Sequence, residues 1–173
     1  GLYFYMDNAR EDMAQIQQVN DWLRANCSGE NSAYMICHGV VYSADVFREA
    51  ALPDESIRTI LPYGAVNPGN DAFPRELFTA QVVLTCDPFD PNNHTGKIND
   101  AFLENQEKYH PFEVAAVFDM GNGYTITAYR RVQAPTVAEL DTYRAWLAEE
   151  DAQFPGNFSA VWDQLESQFA NGG

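Results

Sequence analysis

The chain has 173 residues, 46% hydrophobic and 13% aromatic, which is the length of one domain with enough apolar mass for a real core. Its formal net charge of −15, with lysine only at Lys97 and Lys108, repels phosphate backbones and anionic headgroups, so no nucleic-acid partner is expected. The plain consequence of that charge is solubility. No apolar run approaches the roughly 18–20 residues that span a bilayer, and no signal peptide is visible.

Gly1 stands where a methionine would, and Leu2-Tyr3-Phe4-Tyr5 follow at once. A glycine start resembles a protease scar, so the chain is expected to be an excised piece of a longer protein. The aromatic stub fits the tail of a membrane-edge segment, since tyrosine favours that interface. It fits an edge strand or a staple of an ordinary domain equally. The expected organisation is a scar and linker stub over 1–8, a single α/β domain over 9–170 and a flexible tail over 171–173.

Residues 9–26 read as an amphipathic helix, with Met13, Ile16, Val19 and Leu23 at helical spacing and Asn8 and Glu11 as a capping pair. Residues 34–38, YMICH, read as a short buried strand closed by Gly39. Ser43 opens a second helix that Pro53 stops after Leu52. Residues 58–61 read as a weak strand, and a long loop, PYGAVNPGNDAFP, follows. A short helix is expected over 74–78.

The run 81–94, QVVLTCDPFDPNNH, is the most telling in the chain. An apolar stretch breaks off in Cys86-Asp87-Pro88, as a buried strand does on emerging at the carboxyl edge of an α/β sheet, where ligands sit. A long helix over 97–109 comes next. Strands over 114–118 and 124–132 flank Met120-Gly121-Asn122-Gly123, a strong hairpin signal. Helices over 137–151 and 158–169 end the chain, the first capped by Thr136 with Glu139 three residues on. Alternating strands and helices predict a three-layer α/β fold, a mostly parallel sheet flanked by helices, with a C-terminal antiparallel hairpin.

The chemistry at these positions is sparse. Cys37 and His38 are adjacent, so on a strand they point to opposite faces and make a poor nucleophile–base pair. Asp87 has the placement of a general base or ligand. Asp90, Asn92 and His94 alternate as in a calcium loop, but Thr95 stands where that loop needs glycine. Turn chemistry accounts for the same residues. The cysteines Cys27, Cys37 and Cys86 have no metal spacing, and no His/Cys ligand set is seen, so no metal is expected. No cofactor is expected either, because dinucleotide, P-loop and nucleophile-elbow motifs are absent. Buried free thiols are the expected state, with one bridge, Cys37–Cys86, open if both strand ends are neighbours. Asn26, Asn93 and Asn157 begin N-x-S/T triplets, which matter only in a eukaryotic secretory pathway. Tyr129-Arg130-Arg131 closes the last strand, and alternation sends the two arginines to opposite faces.

Several features occur in a recognisable order: an opening amphipathic helix, Tyr42 before a helix ending in Leu52-Pro53, then Asn70-Asp71 and Phe73-Pro74. Asp87-Pro88 with His94 beyond, a hairpin ending in Tyr129-Arg130, and a tail with Tyr143, Phe154-Pro155 and Phe158 follow. From about residue 9 to 165 the chain resembles the C-terminal soluble domain of bacterial polytopic membrane glycosyltransferases of the GT-C type, similar to protein mannosyltransferases. Such relatives use polyprenyl-phosphate sugars, and their catalytic acid lies on a loop between early membrane helices. The resemblance implies an accessory domain on the extracytoplasmic face, partnered by the membrane-embedded remainder of its chain and by a glycan or acceptor. It carries no catalytic residue onto this sequence, so the isolated chain is not expected to transfer sugars.

The competing reading is a free-standing α/β enzyme or small-ligand module. Its pocket at the strand ends would be lined by Cys37, His38, Tyr63, Asn67, Cys86 and Asp87, and His94 joins them as a candidate ligand-binding residue.

Overall fold

The computed structural model describes residues 10–89 and 95–172. Four strands, β1 (Ala33–Met35), β2 (Val82–Asp87), β3 (Phe112–Asp119) and β4 (Thr125–Arg131), form one sheet in the order β1-β2-β4-β3. β1 and β2 run parallel, with Met35 opposite Leu84. β4 lies antiparallel to β2, with Cys86 opposite Ile126, and β3 lies antiparallel to β4 at the edge.

The sheet is therefore mixed, not mostly parallel. The expected third parallel strand does not exist, because residues 56–60 form a helix. Ile57, Ile60 and Leu61 are all buried, and that spacing puts them on one helical face. The turn is opened by Asp54, whose carboxylate accepts the Ser56 N–H at 2.9 Å, and closed by the Leu61 N–H on the Ile57 carbonyl at 2.8 Å. With that segment helical, β1–β2 is the only parallel pair among the described residues.

Eight helices among the described residues flank the sheet. On one face lie α1 (Met13–Asn26), α2 (Ala44–Ala50) and α3 (Ser56–Ile60). Their Ile16, Val19, Leu23, Phe47 and Ile57 pack on Met35, Leu84, Cys86, Ile126 and Ala128. The other face carries α4 (Arg75–Thr79), α5 (Thr95–Tyr109), α6 (Val137–Leu140), α7 (Arg144–Gln153) and α8 (Ser159–Ala170). Here Tyr34, Ile36 and Val83 meet Ile98, Phe102, Leu140, Trp146, Phe158 and Trp162. β2 is buried from Val82 through Cys86, as a strand covered on both faces must be. β3, at the edge, leaves Val114 and Val117 exposed. No helix among the described residues is long and apolar enough to cross a membrane.

The expected helix over 137–151 is interrupted by a 3-10 turn at Asp141–Tyr143. The Thr136 N–H donates to Glu139 Oε2 at 3.0 Å, which anchors α6. Asn8, the expected cap of α1, lies outside the described residues.

The loop after α3 crosses the end of β1 at Gly64. A Cβ there would stand 2.8 Å from the Met35 carbonyl oxygen, and the Tyr34 hydroxyl donates to the Gly64 carbonyl at 3.1 Å. Gly64→Ala is expected to lower stability by about 1–3 kcal/mol, because the obstacle is backbone and cannot rotate away. Urea unfolding measures it, and an unchanged midpoint would show that the loop shifts freely.

Candidate functional site at the carboxyl edge of the parallel strands

Four segments converge where β1 and β2 end. The chain leaves β1 through residues 36–43 and leaves β2 through Asp87-Pro88. Because β4 is antiparallel to β2, with Asp87 opposite Thr125, the β3–β4 turn arrives at the same edge. α1 precedes β1 and packs across this face, and its first turn lies beside that turn.

Asp12 and Tyr42 hold these segments together. Both are buried. Arg10 donates from Nε to Asp12 Oδ1 and from Nη2 to Oδ2, each at 2.9 Å, which is the two-pronged geometry of a strong guanidinium–carboxylate pair. Arg10 Nη1 donates to the Val41 carbonyl at 2.8 Å, and its guanidinium lies 5.1 Å from the Tyr42 ring centre. The Tyr42 hydroxyl donates to Asp12 Oδ2 and accepts from Asn122 Nδ2, the latter at 2.9 Å. Asn122 also accepts the Tyr124 N–H at 3.1 Å, so the hairpin turn and the aromatic core share one side chain.

Burial alone would raise the Asp12 carboxyl. Hydrogen bonds from Arg10 and Tyr42, with the Arg10 charge, outweigh it and hold the group below the usual carboxylate range. Burial, reinforced by the hydrogen bond to Asp12, pushes the Tyr42 phenol up to about 12. At neutral pH Asp12 is thus an occupied carboxylate and Tyr42 a neutral donor. The pair is a fixed scaffold in which both Asp12 oxygens already accept hydrogen bonds.

Above it lies a hollow of about 440 Å³ lined by Arg10, Glu11, Asp12, Gln15, Met120, Gly121 and Asn122. Gln15 Oε1 is buried and without a hydrogen-bond partner. The Gln15 amide nitrogen would stand 3.1 Å from a Cβ on Gly121, whose φ of +77° already favours glycine. The lining therefore brings a guanidinium, two carboxylates and two planar amides together beside the buried Met120.

The residues singled out from sequence gather only partly. Cys37 and Cys86 are buried and touch, sulfur to sulfur, at 2.7 Å. His38 turns away from Cys37 and meets Tyr63 edge-on, ring centres 5.6 Å apart. Tyr63 is 53% exposed. Asn67 is exposed too, and its side chain accepts the Gly69 N–H at 2.9 Å, so it serves a turn. Asp87 is exposed at the strand end. His94, with Asp90 and Asn92, lies outside the described residues. Among the described residues, no three His, Cys, Asp or Glu side chains gather as metal ligands would.

Arg10, Asp12, Gln15 and Asn122 escaped the sequence reading. The one local signal was Arg10-x-Asp12 at the head of an amphipathic helix. Comparison with protein-family models, curated proteins and solved structures found no match.

Proposed function

We propose that this chain is a ligand-orienting domain, without catalysis of its own, whose carboxyl edge holds a hydroxyl-rich ligand such as a glycan or a glycan acceptor. The observation that carries this reading is the polar hollow beside Gln15 and Asn122. Its groups donate and accept hydrogen bonds in fixed directions, held over the buried Met120. Hydroxyl-rich ligands are oriented by such sets of planar polar side chains with fixed hydrogen-bonding directions. The Asp12 carboxylate beneath is already engaged, which favours binding over acid–base chemistry.

The order of features from Tyr42 to Phe158 supports placing the domain on the extracytoplasmic face, behind a membrane-embedded GT-C type transferase. The sheet edge then presents an acceptor to the membrane part, which holds the polyprenyl-phosphate donor. This part of the reading requires many apolar spans encoded immediately upstream of Leu2. A soluble upstream sequence in the reading frame overturns it.

Binding is tested by titrating the labelled domain with mannose- and glucose-containing oligosaccharides while recording side-chain amide resonances. Shifts at Gln15 and Asn122 that saturate, and that disappear in Gln15→Ala, are the expected result. Unchanged spectra at millimolar sugar reject a glycan-binding edge.

A further inference from the structure

We propose that Cys37 and Cys86 are a disulfide site that ties the ends of the two parallel strands together. Cys86 lies in β2 and Cys37 just past the end of β1, each two positions beyond the paired Met35 and Leu84. Parallel neighbours are about 4.8 Å apart, inside the 4.4–6.8 Å window that disulfides span between Cα atoms. The Ile36 N–H still donates to the Leu84 carbonyl at 3.0 Å, so the strands remain coupled up to the cysteines. Both side chains turn to the same face of the sheet, and their sulfurs touch at 2.7 Å. Cys27, also buried, sits beyond the far end of α1 and leaves the pair a definite partner choice.

The timing follows from the surroundings. Cys37 is 3% exposed and Cys86 6%. The contact with Cys86 and burial both push the Cys37 thiol well above its ordinary value, so thiolate is scarce in the closed fold. The bond therefore forms while the strand ends are still open, by exchange with a small disulfide such as oxidised glutathione. The Cys37 thiolate attacks one glutathione sulfur and expels the other as thiolate, leaving a mixed disulfide. The Cys86 thiolate then attacks the Cys37 sulfur and expels the second glutathione. Two protein S–H groups are lost, and one disulfide is reduced to two thiols. Such a bond belongs to an oxidising compartment. It stands independently of any ligand at the sheet edge.

The test is to refold the chain in glutathione buffers from fully reduced to strongly oxidising, quench with acid, unfold and alkylate. The expected product is two hydrogens lighter, yields a linked Cys37–Cys86 peptide on mapping, and has Cys27 alone alkylated. Reduction is expected to lower its melting temperature by roughly 10 °C, since the bond closes a span of 49 residues. Cys37→Ala/Cys86→Ala should melt at one temperature in both buffers. Quantitative alkylation of Cys37 and Cys86 after oxidising refolding overturns the proposal, as does a linkage that includes Cys27. The peptide map of the unaltered chain decides the matter even where a variant fails to fold.

Discussion

Replacing Glu139 by alanine is expected to destabilise the fold by about 3–5 kcal/mol, the cost of stranding a buried charge. Glu139 is 4% exposed, yet it is an ionisable residue in the first turn of α6. Its two carboxylate oxygens each accept from Arg131 Nη1 at 3.2 Å, and Oε1 also accepts from Asn105 Nδ2 at 3.3 Å. With the Thr136 N–H on Oε2, the one side chain joins β4, α5 and α6. Arg131 packs its guanidinium over the Phe112 ring at 4.5 Å and is itself largely buried. Alanine would leave that cation with no carboxylate, only the Gln133 carbonyl at 3.4 Å, and would leave the Asn105 amide and the Thr136 N–H without their acceptor. Glu139→Gln keeps an acceptor and the volume, so it should cost less. Pairing Glu139→Leu with Arg131→Met removes both charges and should recover much of the loss, because the pair is costly to break rather than costly to lack. Chemical unfolding of the three variants checks the order. Equal losses in all three would mean that packing, and not charge, sets the value.

The same residue shows what the sequence could and could not reveal. Thr136 and Glu139 were legible as a helix start because capping is a three-residue matter. The Arg130-Arg131 pair was legible as facing two ways because strand alternation is local. Arg130 indeed lies near Trp22 on the α1 side, at 5.9 Å, while Arg131 faces Glu139 on the other. That these two signals concern one buried ion pair was not legible, since nothing in a strand or a cap names a partner eight residues away.

Residues 58–61 failed for a related reason. A four-residue window with two apolar residues at its end fits a strand and one helical turn alike, and the deciding contacts, Ile57 and Ile60 against the α1 side of the core, are long-range. Losing that strand turned the expected parallel sheet into a mixed one. The carboxyl edge itself was legible from the abrupt end of β2 at Asp87-Pro88. Its polar cluster was not, because Asp12, Tyr42 and Asn122 are separated by 30 and 80 residues and each has an ordinary local role.

Acid is expected to weaken the fold through that cluster, and Asp12→Asn should remove the effect. The Asp12 carboxyl is held below its ordinary value in the folded chain, and in the unfolded chain it titrates near pH 4. The unfolded chain then binds the proton more readily than the folded one. Stability from this group is therefore complete above about pH 4, and it drains away as the pH falls toward the folded value. Protonation would remove the charge that both Arg10 nitrogens and the Tyr42 hydroxyl point at, and α1 would lose its tie to the loop after β1. At neutral pH Asp12→Asn should cost about 2 kcal/mol, the scale of a hydrogen bond to a charged group, with Arg10 one-third exposed and so partly rehydrated. Asp12→Ala should cost more, because Tyr42 keeps a buried hydroxyl whose acceptor is gone. Thermal melts between pH 2.5 and 7 compare the variants. The wild-type curve should fall more steeply below pH 4 than that of Asp12→Asn. Parallel curves would mean that the acid sensitivity comes from the other carboxylates, and that the Arg10–Asp12–Tyr42 cluster contributes nothing beyond its packing.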